Sequence, residues 1–245
     1  MRSLQTVDDY VLINKNRANI FSFLSKIYEK ELTNTQILEI GAKENSFPTL
    51  DAIDIPGCSE IKEGFKLMRK YFDAINSSHV DKVELDLAED YAGIFLGVRG
   101  KVPHPSESAY RSRDGTIMQK QRDEVLELYR LMNLDKSPSF KEPEDHIAIE
   151  LSFMAYLANK TASALESSYL DDAQHYLCMQ KKFLEEHLAR WVPRFCEDVF
   201  ESARTDFYRG VAMVTKGLLK MECFMINELV DSIIHLCNDE QQPTS

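Results

Sequence analysis

The residues best suited to chemistry fall in two short stretches. Asp145, His146 and Glu150 lie close together, and His146 and Glu150, four apart, share one face of any helix that carries them. A carboxylate beside a histidine can tune the imidazole toward neutrality, for proton transfer or metal ligation. The same three residues serve equally well to tie a helix start to its neighbours, and no second cluster completes a catalytic set. The other stretch is Pro103-His104-Pro105-Ser106-Glu107-Ser108-Ala109-Tyr110. Two prolines restrain its backbone, while Glu107 and Tyr110 supply polar and amphipathic groups. A loop of this kind is either a functional surface or a packed connection.

Other constellations carry less. Asp172 and His175 have helical spacing, but a di-iron bundle needs Glu-x-x-His pairs on facing helices. Glu185, Glu186 and His187 are adjacent and so point to different sides of a helix. There is no GxGxxG, P-loop, GxSxG or HExxH. The expectation is no catalytic residue, no metal and no cofactor. A metal- or nucleotide-dependent hydrolase built on Asp145, His146, Glu150 and His187 remains the enzymatic alternative.

The elements that must position these residues read as helices. A first helix is predicted from about Val11 to Lys30, with Ile20, Phe21, Leu24, Ile27 and Tyr28 inward. Ile61, Phe65, Met68, Phe72 and Ile75 recur at four-three spacing and mark one face of a second. A third carries Leu85, Ala88, Tyr91, Ala92, Phe95 and Leu96. Gly97 to Gly115, with three glycines and two prolines, predicts an ordered surface loop rather than an element. Helical spacing resumes at Met118, Val125, Leu128, Tyr129 and Met132. Residues 133–142 form a polar connector, a hinge between an N-terminal half (1–132) and a C-terminal half (143–238). Pro143 is suited to open the next helix, with Glu144 and Asp145 in its first turn. No Gly or Pro interrupts Glu144–Val192, room for two helices parting near Ser167–Asp171, and Pro193 predicts a break. Further helices run on to Ile234. No alternating strand appears. The fold class is therefore all-α: one bundle-like domain over 1–245 with roughly ten helices, in two packed halves.

Composition narrows the partners. Among 245 residues, 29 Lys and Arg face 40 Asp and Glu, for a net charge of -11. A nucleic-acid binder needs a basic face, so none is expected. Acidity aids solubility, and it also attracts a cationic partner. The five cysteines include no CxxC pair, which fits reduced thiols in the cytoplasm. The first ten residues lack an apolar signal-like run, and no uncharged stretch is long enough for stable membrane insertion.

Several blocks resemble one family. Tyr91-Ala-Gly-Ile-Phe95-Leu96-Gly97 followed by Pro103-x-Pro105-x-Glu107-Ser108-x-Tyr110 resembles the Y-x-x-L-F-x-G … P-x-x-E-S-x-Y block of the TorD/DmsD/NarJ family. Glu142-Pro143-x-Asp145-His146-x-x-x-Glu150-Leu151-x-Phe153-Met154 is similar to its E-P-x-D-H-x-x-x-E-L-x-F-M signature. Phe183, His187, Leu188, Trp191, Pro193 and Phe195 fall on its F-x-x-x-H-L-x-x-W-x-P-x-F block, and Phe207-Tyr208 on a further pair. Ser106 departs from the pattern, since many members carry an aromatic or bulky residue there.

The resemblance implies an all-α cytoplasmic chaperone, monomer or homodimer, that supports molybdoenzyme assembly. Such proteins bind the twin-arginine leader, and often the body, of a molybdopterin oxidoreductase catalytic subunit until cofactor is inserted, and so proofread it before export. Some members are linked to nucleotide binding. On this reading Glu107, Asp145 and Glu150 are candidate arginine partners, and Tyr91, Phe95, Tyr110 and Trp191 line an apolar groove. Pro103, Pro105, Glu142, Pro143 and His146 complete the peptide-binding and hinge region.

Overall fold

The computed structural model describes residues 6–41, 55–73, 80–97 and 103–240. Helix α1 (Val7–Glu29) opens on a reciprocal cap in which Thr6 and Asp9 each satisfy the other's backbone N–H. It is followed by α2 (Asn34–Gly41), α3 (Cys58–Asp73) and α4 (Val80–Phe95). Next come the short α5 (Glu107–Arg111) and α6 (Lys120–Leu131). The remaining helices are α7 (Ile147–Glu166), α8 (Leu170–Phe183), α9 (Ala189–Ser202) and α10 (Asp206–Glu240), with one π turn, Leu184–Leu188, joining α8 to α9. There is no strand among the described residues, and the all-α class holds.

Packing crosses the middle of the chain. Helix α1 lies along α7, and α3 lies along α10, so two N-terminal helices pack against C-terminal ones. A single apolar core runs from Tyr10 to Cys237. The α3–α10 contact is close enough to require glycine: a Cβ on Gly64 would stand 2.6 Å from the Gly210 carbonyl oxygen. Helix α1 is tied to α10 by a buried ion pair. Arg17 donates through Nε to Glu222 Oε1 at 2.9 Å and through Nη2 to Oε2 at 2.6 Å, while Asn14 Oδ1 accepts from Nη1 at 2.8 Å. Buried Asp90 fixes the start of α10, accepting from Thr205 N at 2.8 Å and Thr205 Oγ1 at 2.7 Å.

Several expectations are met and others corrected. The parting of α7 and α8 falls where expected, with Ser168 in a left-handed turn. Ile61, Phe65 and Met68 do face the core; Ile75 lies outside the described residues. Helix α4, however, turns Val83, Leu87, Asp90, Tyr91 and Ile94 inward and leaves Leu85 exposed, as is Leu96 just past its end. Apolar residues lie on both faces of α4, so its pattern alone misplaced the inner one. The segment expected to be surface loop contains α5, and Pro103 and residues 105–108 are buried. Pro143 does not open a helix. Helix α7 starts four residues later, because His146 is its N-cap. Pro193 lies inside α9 and breaks nothing; its ring costs one i→i-4 bond just after the wide π turn.

Candidate functional site

The two chemistry-bearing stretches meet side by side. Ile147 N donates to Pro105 O at 2.8 Å and Glu107 N to Asp145 O at 2.9 Å, forming an antiparallel bridge between Ser106 and His146. Prolines at 103, 105 and 143 hold these segments extended, which is the backbone that such a bridge needs. At its end His146 folds its side chain back so that Nδ1 accepts from Ala148 N at 3.1 Å, capping α7. Phe140 packs edge-on against its ring.

Behind the bridge lies a sealed polar network. Glu107, Asp145 and Glu150 are each 0% exposed. Asp145 Oδ2 accepts from Ser108 N at 2.8 Å and from the Ser108 hydroxyl. Glu107 meets Arg111 on one oxygen and His187 Nδ1, at 2.9 Å, on the other. Glu150 Oε2 accepts from Trp191 Nε1 at 3.0 Å. Burial pushes the Glu150 carboxyl well above its usual range, and Glu107 beside it adds to the effect. Burial also raises Asp145, against the pull of the Ser108 hydrogen bonds.

Glu107, Asp145 and Glu150, expected as arginine partners, are instead buried and hydrogen-bonded to internal partners. Trp191 is 1% exposed and belongs to the same network, not to a groove wall. Tyr110 is turned toward α9, donating to Asp198 Oδ2 at 3.0 Å and packing on Trp191. Glu144, expected in a helix first turn, instead pairs with Arg122 and Lys136.

The other named residues do converge, on a surface cleft of about 490 Å³. Tyr91 and Phe95 of α4, with Leu96 just past its end, form its apolar side; Tyr91 is steadied by donating to Tyr28 O at 3.2 Å. His104, Pro105 and His146 come from the bridge and its approach. Glu29, Lys30 and Glu31, where α1 ends, and Glu142 from the connector supply the charge. Among the described residues, Lys30 is the single cation of the cleft against three carboxylates, and no ion pair engages Glu29, Glu31 or Glu142. Pro103 and Pro143 are buried beside the bridge that shapes this wall.

Glu29 and Glu31 were absent from the expected site, and His104 stood in the quoted loop without a role. No spacing signal marks the two glutamates, which lie some sixty residues before Tyr91; only the fold brings them there. A second cleft, bounded by α6 and α9, mixes Arg111, Lys182 and Arg190 with Glu124, Glu127 and Glu186, so its charges largely cancel. No group of three or more metal-ligating side chains occurs among the described residues. Nor is any described helix long and apolar enough to cross a membrane.

An all-helical fold that packs a Pro-x-Asp-His segment against a Pro-x-Glu-Ser loop defines a class, and comparison with known proteins agrees. Residues 58–197 match the family described as "Nitrate reductase delta subunit", and the chain belongs to that family. Within it, the chain is similar to proteins named "Chaperone protein TorD". That of Aliivibrio fischeri is 27% identical over 216 residues, 88% of this chain and 97% of the relative. That of Photobacterium profundum is 27% identical over 219 residues, 89% and 95% of the two chains. That of Vibrio cholerae El Tor Inaba is 26% identical over 220 residues, again 89% and 95%.

Proposed function

We propose that this protein is a cytoplasmic, non-catalytic chaperone that binds the twin-arginine leader of a molybdopterin oxidoreductase catalytic subunit, and its body, supporting cofactor insertion before export or assembly. The observation that carries the reading is the cleft, where three unpaired carboxylates surround an apolar wall. A twin-arginine leader has complementary chemistry: two guanidinium groups followed by an apolar segment. Guanidinium groups find carboxylates on Glu29, Glu31 and Glu142, and the apolar segment lies on Tyr91, Phe95 and Leu96. The net charge of -11 steers a cationic segment toward the surface. The relatives' name, chaperone, supports the class of activity.

The buried residues of the family signature then have a supporting role. The bridge and its carboxylate network hold His104, Pro105 and His146 in place, so that the cleft exists before the ligand arrives. Calorimetric titration with the twin-arginine leader of the molybdopterin oxidoreductase made by the same cell tests the proposal, beside a leader with both arginines changed to glutamine. Saturable binding that needs the arginines is the expected result. Equal binding of both peptides, or of neither, overturns it.

A further inference from the structure

The cleft is rich in acceptors and poor in donors. Its carboxylates only accept, and Pro103 and Pro105 remove two main-chain N–H groups from the wall that approaches it. A bound peptide brings a carbonyl at every residue, and each carbonyl that loses water needs a donor. Among the described residues, apart from Lys30, the charged and ring nitrogens of this surface belong to His104 and His146.

The two rings are held in the same sense. His146 Nδ1 accepts the Ala148 N–H, so its proton must sit on Nε2. His104 Nδ1 is buried and has no hydrogen-bond partner. An orphaned acceptor is tolerated inside a protein more readily than an orphaned N–H, which places the His104 proton on Nε2 as well. Burial favours the neutral ring in both, bringing His146 down to about 3 and lowering His104 despite Glu142 and Asp145 nearby. His104 and Lys136 act in the same direction on His146, and among the described residues the remaining charged groups of the cleft are Glu29, Lys30 and Glu31.

We infer that His104 is a specificity-determining residue of this cleft, a neutral imidazole whose Nε2–H, alongside that of His146, donates to main-chain carbonyls of an extended peptide whose cations lie on the surrounding carboxylates. This rests on the leader reading and deepens it. The carboxylates select charge, and the histidines select backbone, so a polyamine with the same charge lacks half of what the cleft recognises. Neutrality matters: an imidazolium here would repel the arginines.

The test uses the full chain in two arms. Imidazole ¹⁵N spectra at pH 7 are expected to show His104 neutral with the proton on Nε2; an Nδ1–H tautomer or an imidazolium overturns the inference. In the second arm the leader peptide is titrated into His104→Gln, whose amide nitrogen replaces Nε2, and His104→Asn, whose amide replaces Nδ1. The Gln variant is expected within about twofold of the parent and the Asn variant about tenfold weaker, the scale of one hydrogen bond. Equal losses in both overturn this role while leaving the leader reading intact. Failure of the parent chain to bind the leader overturns both.

Discussion

Trp191 donates its indole N–H to Glu150 Oε2 at 3.0 Å, in a place where neither side chain is more than 1% exposed. Two residues of separate sequence blocks are thereby one polar unit inside an apolar core. Trp191→Phe keeps the ring volume in part but strands a carboxyl oxygen, and it is expected to cost about 1–3 kcal/mol in urea unfolding. In a Glu150→Gln background the same change should cost a different amount, because the partner has changed. Additive losses in the double variant would show that the contact contributes nothing of its own.

The same carboxyl predicts a pH dependence. Glu150's pKa is raised on folding, so the folded chain holds that proton more tightly than the unfolded chain does. Its contribution is complete below the ordinary carboxylate range and is lost as pH rises through the folded value. Melting temperatures of the parent should therefore fall toward alkaline pH, and Glu150→Gln should flatten that fall. Asp145, also raised, leaves a smaller slope of the same sign. An identical pH profile in the variant would remove Glu150 from the account.

The charged rim of the cleft predicts a binding effect without a folding effect. Glu29, Glu31 and Glu142 are exposed, so changing all three to glutamine should leave the helical circular dichroism and melting temperature near those of the parent. Leader affinity at low salt is expected to drop roughly tenfold, the sum of three modest surface attractions. The difference between parent and variant should shrink as salt is added. Affinity indifferent to the triple change would move the arginine partners elsewhere.

Helix contact through glycine predicts intolerance of a single methyl group. Gly64→Ala places its Cβ against the backbone of Gly210 and against Val214, neither of which is the free end of a flexible chain. Helices α3 and α10 must separate, at a cost of about 1–3 kcal/mol or more by denaturant unfolding. A stable variant with unchanged midpoint would mean that the helices are less tightly apposed than this contact implies.

Where sequence patterns depend on neighbours along the chain, they were legible. The four-three spacing of Ile61, Phe65 and Met68 identifies the inner face of α3, and the uninterrupted run after Glu144 yields α7 and α8. The family blocks likewise contain Tyr91, Phe95, Pro105, Glu142 and His146, which the fold brings to one cleft. What was not legible depends on distant partners. Glu107, Asp145 and Glu150 look like surface carboxylates because unpaired charge belongs in water. Their burial rests on Ser108, Arg111, His187 and Trp191, which are supplied by the short helix α5, the π turn and α9. The π turn itself has no glycine or proline to announce it. Glu29 and Glu31 end an ordinary amphipathic helix and gain meaning only from where that helix stops.

The bridge between Ser106 and His146 makes a closed ring of the chain between them, with α5, α6 and the connector 133–142 as its circumference. The connector is therefore tethered at the neck, and straightening it cannot by itself pass residues 143–240 to a second molecule. If helices were exchanged between two copies, the hydrogen bond from Ile147 to Pro105 would have to be remade from one chain to the other. Each cleft in such a pair would then be a joint possession, its two histidines drawn from different molecules.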